Sequence, residues 1–191
     1  PAVFVSNHSS YLDGLVLTSA LPRPISFVAK TELQDNWVTR LPLRRLEAEF
    51  VERFDPGQGI DDARQVTRNL RDGHSPLFFA EGTLTRMPGL LPFQMGAFMT
   101  AAEAGAPMVP ITIRGTRSML RDGTWFLRPG AITVIIGKTI EPAPLAGKEE
   151  LWTEAVKLRD QVRREILNQC GEPDLEKEPS FIPVLKQQRS D

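Results

Sequence analysis

This sequence is poor in the residues that build cross-links and metal centres: its 191 residues include one cysteine, Cys170, and two histidines, His8 and His74. A single thiol excludes an intrachain disulfide and suits a reducing compartment. One Cys and two His are too few nitrogen and sulfur ligands for a zinc site, so no metal and no tightly held cofactor are expected. No apolar run approaches the ~20 residues that span a bilayer, and no signal-peptide pattern precedes the first apolar run. Charge of one sign is also missing: 23 Lys and Arg stand against 24 Asp and Glu, a net charge of −1. That balance gives a nucleic-acid backbone nothing to hold, and nucleic acid is not an expected partner. Familiar loops are absent or incomplete. There is no Gly-x-Ser-x-Gly elbow, Gly57-Gln58-Gly59 lacks the third glycine of a dinucleotide fingerprint, and Gly137-Lys138-Thr139 has Ile132 where a phosphate loop needs glycine.

What is present belongs to an ordinary globular domain, with 41% hydrophobic and 25% charged residues and a length that suits one core. Short β-branched or aromatic runs bounded by Gly or Pro predict strands at Ala2–Ser6, Ile25–Ala29, Glu49–Arg53, Pro76–Ala80, Met108–Ile113 and Ala131–Ile136. Amphipathic stretches lie between them. Ile60, Ala63, Thr67 and Leu70 recur at helical spacing before Gly73, and Phe98 to Gly105 reads as a short alanine-rich helix. Leu151, Ala155, Leu158, Val162 and Ile166 form one stripe closed by Gly171. This alternation predicts an α/β fold, a single domain with a mixed, mostly parallel sheet flanked by helices. The domain is expected over 1–171, and the polar, proline-containing stretch 172–191 reads as a tail or linker. The sequence opens on Pro1 inside a strand-like run, without an initiator Met, and so reads as a domain taken from a longer protein.

The residues that can do chemistry cluster at predicted strand ends. Asn7-His8-Ser9-Ser10-Tyr11-Leu12-Asp13 follows the first strand. Five positions put His8 and Asp13 about 140° out of phase on a straight helix, so they meet only if His8 lies in a turn and Asp13 opens the next helix. There the carboxylate could accept one imidazole N–H and leave the other nitrogen basic. Ser9, next to His8, is poorly placed as a nucleophile for it. Glu81-Gly82-Thr83 follows the fourth strand, with Arg86 close behind. Gly82 would let backbone N–H groups approach a ligand, and Arg86 offers a planar cationic fork. An ordinary turn with a solvated Glu and Arg explains these residues equally well. Lys30 and Arg53 follow other strands and could converge on an anionic substrate, while Arg40, Arg44 and Arg45 read better as solvated surface. Trp37, Leu41, Leu91 and Phe93 either pack in the core or face a membrane interface.

Together these residues resemble the glycerolipid acyltransferases, the PlsC-like family that includes 1-acylglycerol-3-phosphate O-acyltransferases. Asn7 to Asp13 matches its N-H-x4-D block, Phe50-Val51-Glu52-Arg53 its second block, Phe79-Ala80-Glu81-Gly82-Thr83 its E-G-T block and Val109-Pro110-Ile111 its fourth. Order and spacing agree over residues 1 to 140. Two positions depart: Leu84 stands where many members place arginine, and Glu47 or Ala48 stands near the glycine that opens the second block. The resemblance implies an acyltransferase of phospholipid biosynthesis. It would move a fatty acyl group from an acyl thioester, acyl-CoA or acyl carrier protein, to a lysophospholipid hydroxyl, with 1-acylglycerol-3-phosphate favoured. In that reading His8, Asp13, Glu81 and Gly82 are catalytic, and Lys30, Arg53, Thr83 and Arg86 bind substrate. The expected location is the cytoplasmic side of a membrane, peripheral or anchored through regions outside this sequence. An acyl-thioester or ester hydrolase and a non-catalytic lipid-binding module are the competing readings.

Overall fold

Five of six strands run in the same direction, so their carboxyl ends share one edge of the sheet, and the candidate residues follow those ends. The computed structural model describes residues 1–21, 25–30, 49–51, 66, 68–70, 72–120 and 126–177. The strands are β1 (Val3–Ser6), β2 (Ser26–Lys30), β3 (Glu49–Val51), β4 (Pro76–Phe79), β5 (Met108–Arg114) and β6 (Thr133–Ile136), in the order β3-β2-β4-β1-β5-β6. Only β6 is antiparallel, against β5. Every predicted strand is present with ends shifted by a residue or two, and the mixed, mostly parallel α/β architecture is the one expected from the sequence.

The helices are α1 (Asp13–Ala20), α2 (Gly96–Ala104), the short α3 (Thr116–Met119) and α4 (Leu151–Cys170). Val66 and Leu70 are buried on a further helical stretch; Ile60, Ala63 and Thr67, predicted to lead it, lie outside the described residues. That stretch stops as its sequence suggests. Gly73 adopts a φ of 97°, its N–H donates to the Leu70 carbonyl, and the His74 N–H reaches back to Asn69. This is the paired closure that a left-handed glycine permits. His74 itself is exposed.

Strand alternation sorts the core into two layers. Val3 and Val5 of β1 pack with Phe98 and Ala101 of α2 and with Leu158, Val162 and Ile166 of α4. Phe4 points the other way, into a cluster with Leu17 of α1, Phe27, Leu77 and Ile111. So α1, which leads from β1 toward β2, covers one face, and α2, which leads from β4 to β5, covers the other. β1 and β4 are neighbours whose following helices leave toward opposite faces. A crevice opens between strand ends at such a point, and open α/β sheets bind ligands there.

The segment that follows α4, read from sequence as the start of a polar tail, is docked. Leu90 and Asp174 form a parallel bridge, and Leu175 is buried. Arg163, itself buried on α4, donates through Nη2 to the Leu90 carbonyl at 3.1 Å and to Asp174 at 2.6 Å, and through Nε to Glu176 at 2.6 Å. The polar residues that made this stretch look solvated are thus partners for one buried guanidinium, as a buried charge requires. Residues 178–191 lie outside the described residues. Close approach also requires glycine at Gly89, whose φ is 142° and where a Cβ would sit 2.3 Å from Leu175 Cδ1. Gly89→Ala is expected to destabilise the protein by about 1–3 kcal/mol. A Tm unchanged from wild type would show that Leu175 can move aside freely.

Candidate active site

At the β1 end the chain turns so that one carboxylate gathers three residues. Asp13 is fully buried at the start of α1. Its Oδ2 accepts the Ser9 N–H at 2.6 Å, the Ser10 N–H at 2.8 Å and the His8 Nδ1–H at 3.0 Å. His8 lies in the turn and Asp13 opens the helix, as their spacing requires. A carboxylate can only accept, so Nδ1 carries the proton and Nε2 keeps its lone pair. Nε2 has no hydrogen-bond partner among the described residues. The imidazole stacks on Phe79, with ring centroids 4.1 Å apart and planes at 19°, and its side chain remains 19% exposed. Phe79 fixes the ring plane while Asp13 fixes its rotation. Nothing in the spacing from His8 to Asp13 announced that stacking partner.

Asn7 anchors this turn to the sheet. Its Nδ2 donates to the Ile113 carbonyl at 3.0 Å, and its Oδ1 accepts the Ile113 N–H at 2.8 Å. The side chain thus substitutes for a strand neighbour just where β1 leaves the ladder. Ser9 is buried, its hydroxyl in contact with Asn7 Nδ2. Ser10 donates to the Leu120 carbonyl, joining the turn to the end of α3.

Glu81 joins the second cluster to the first. Its Oε1 accepts the His8 backbone N–H at 2.7 Å and its Oε2 accepts the Leu91 N–H at 2.9 Å. Grouped with the catalytic residues from sequence, Glu81 instead holds backbone: both oxygens are engaged away from the imidazole, which makes it a positioning residue. Burial pushes its pKa up to about 7, against the lowering effect of the two N–H donors. Gly82 has a φ of 67°, and its N–H donates to the Phe79 carbonyl at 3.0 Å. That bond closes a turn and occupies the Gly82 N–H within the chain. The Thr83 N–H, next in line, has no partner among the described residues. The Thr83 side chain is exposed and its hydroxyl leans on the Leu84 carbonyl.

The cationic residues separate. Arg86 is exposed beside Arg114 and Arg117, which the sequence reading did not single out. The available signal was that Arg114 ends a strand at the same sheet edge as His8 and Glu81. Lys30 closes β2 at that edge. Arg53, with Arg40, Arg44 and Arg45, lies outside the described residues, as do Trp37 and Leu41. Phe93, weighed as a membrane contact, is buried instead, packed 6.2 Å from Phe98 with the Arg163 guanidinium over its ring. Leu91 is half-buried. No helix among the described residues is long and apolar enough to cross a membrane, and no group of three or more His, Cys, Asp or Glu is placed among them to hold a metal.

Residues 1–114 match the family model described as Acyltransferase. A chloroplastic protein of Brassica napus named as a 1-acyl-sn-glycerol-3-phosphate acyltransferase is 36% identical over 141 residues, 73% of this chain and 41% of that protein. An Arabidopsis thaliana chloroplastic protein of the same designation is also 36% identical over 141 residues, 73% of this chain and 39% of its own. The chain therefore spans about two fifths of the length of these relatives. The crystal structure of the 1-acyl-sn-glycerophosphate acyltransferase PlsC from Thermotoga maritima superposes with a TM-score of 0.64 at 24% identity, covering 85% of this chain and 65% of that one, a likeness of fold.

The raised pKa of Glu81 has a measurable sign. Its folded-state value lies above the ordinary 4.5, at about 7. The ionised carboxylate therefore weakens the fold increasingly as pH rises through that window, by on the order of 3 kcal/mol in all, and adds nothing further above it. Glu81→Gln removes this titration. Wild-type stability relative to Glu81→Gln should fall between pH 4.5 and 7 in chemical denaturation; a rise would mean that the two N–H donors outweigh burial.

Proposed function

This chain belongs to the acyltransferase family, and we propose that it transfers a fatty acyl group from an acyl thioester to the hydroxyl of a lysophospholipid, 1-acylglycerol-3-phosphate being the favoured acceptor. The observation that carries this reading is the His8–Asp13 pair at the crevice between β1 and β4. It presents a basic nitrogen with a fixed tautomer and, among the described residues, no covalent nucleophile beside it, since Ser9 is turned inward against Asn7. The named activities of the Brassica napus and Arabidopsis thaliana relatives support the choice of acceptor.

The chemistry follows from the two reactants. An alcohol is a weak nucleophile at neutral pH, so His8 Nε2 takes its proton as the oxygen bonds to the thioester carbonyl carbon. Asp13 steadies the imidazolium that forms. Negative charge gathers on the carbonyl oxygen, and the Thr83 N–H is assigned to it. Collapse of the tetrahedral species breaks the C–S bond, and the imidazolium returns its proton to the departing thiolate. Glu81 holds the two turns in register. Arg86, with Lys30 and Arg53, is assigned to the acceptor's phosphate. The thioester is an acyl-CoA or acyl carrier protein, and the protein works at the cytoplasmic surface of a membrane, where its acceptor resides.

His8→Ala should lower kcat for transfer by about 10²–10⁴ while leaving Tm near wild type. Asp13→Asn should also be severe, because an amide can stabilise the wrong imidazole tautomer. Full activity of folded His8→Ala, with acyl thioester and lysophosphatidate, would falsify the mechanism. Thioester cleavage that proceeds equally well without lysolipid would instead identify a hydrolase.

A further inference from the structure

A cavity of about 330 Å³ opens beside the turn that follows Glu81, and its walls include Arg86, Arg114, Arg117, Gly171 and Glu172. Three guanidinium groups face one carboxylate there. Arg117 is already engaged. Its Nε and Nη2 grip the Glu172 carboxylate at 2.8 and 2.9 Å, and its Nη1 donates to the Thr85 carbonyl. Glu172 is fixed in turn by the Gly89 N–H at 2.7 Å. Arg117 is therefore a rigid element of the wall, half neutralised by its partner and tied to the Glu81–Arg86 segment.

Arg86 and Arg114 are different. Both are exposed, and neither guanidinium makes a hydrogen bond or an ion pair among the described residues. Arg114 is nevertheless shaped into place: it lies against Gly171, where a Cβ would come within 3.3 Å of its Nη2. It also closes β5 one residue after Ile113, whose backbone Asn7 clamps, so it stands on the sheet edge that carries His8. Unneutralised guanidinium groups gathered around one cavity repel each other. They suit an anion with several oxygens, which each fork can meet with two parallel hydrogen bonds.

We propose that this cavity binds a substrate phosphate, with Arg114 and Arg86 as its direct ligands and Arg117 as the fixed cation behind them. The inference rests on the acyl-transfer reading and adds Arg114 to Arg86, Lys30 and Arg53 as a phosphate ligand. Both the acceptor and a coenzyme A thioester carry phosphate, and kinetics separates the two sources. Arg114→Gln should raise the KM for lysophosphatidate by about 10-fold or more, with kcat little changed and with Arg114→Lys restoring part of the loss. If the KM that rises is that of the coenzyme A thioester, the phosphate held is the donor's. If neither moves, or if an uncharged monoacylglycerol acceptor suffers the same loss, the assignment is overturned. Calorimetric titration with glycerol 3-phosphate tests the cavity without turnover. Binding by wild type that is lost in Arg114→Gln is expected, and binding that is absent or equal in both overturns the site. Lack of transfer to every acceptor, with that binding intact, would overturn the acyl-transfer reading alone.

Discussion

A single buried carboxylate holds two backbone N–H groups from different parts of the chain, and the site depends on that bridge. Glu81 receives the N–H of His8 on one oxygen and that of Leu91 on the other. The first bond ties the turn after β4 to the turn after β1, strands adjacent in the sheet but 73 residues apart at this contact. The second ties both turns to the loop that Arg163 reaches through the Leu90 carbonyl. Charge-assisted bonds of this kind each contribute about 1.5–3 kcal/mol. Burial opposes them strongly enough to raise the pKa to about 7. The carboxylate is kept because its removal leaves two backbone donors without acceptors inside the protein.

Asp13 performs a related task with a different outcome. One of its oxygens gathers Ser9, Ser10 and the imidazole, so the bonds that shape the turn also set the tautomer of His8. The fold and the proposed chemistry share those atoms. Phe79 adds the one restraint a carboxylate cannot supply, a flat surface against which the ring rests. The two buried carboxylates are thus divided by what they hold: Asp13 the base itself, Glu81 the backbone that carries it.

The sheet and the His8–Asp13 pair were legible because both rest on local rules. Strands announced themselves by β-branched runs between Gly and Pro, and a five-residue spacing admitted only one geometry. Gly73, Gly105 and Gly171 marked helix ends, and all three have positive φ. What the sequence hid depends on partners distant along the chain. Phe93 looked awkwardly apolar for a loop because Phe98 and Arg163, which cover it, are not its neighbours in sequence. Residues 172–177 looked like tail because their acidic groups have meaning only opposite Arg163 and Arg117. Glu81 read as a reactive carboxylate for the same reason: nothing local says that two backbone amides claim its oxygens.

Asn7 has one more effect. By taking over the Ile113 hydrogen bonds it lets β1 end at Ser6, whose register partner is Ile111, while β5 continues to Arg114. Three further residues of extended chain carry β5 about 10 Å beyond its neighbour. The rim of the sheet is therefore stepped, the last residue of β5, Arg114, standing past the last residue of β1. In the proposed transfer, a rigid sheet would thereby help set the distance between the acceptor's hydroxyl and its anionic end.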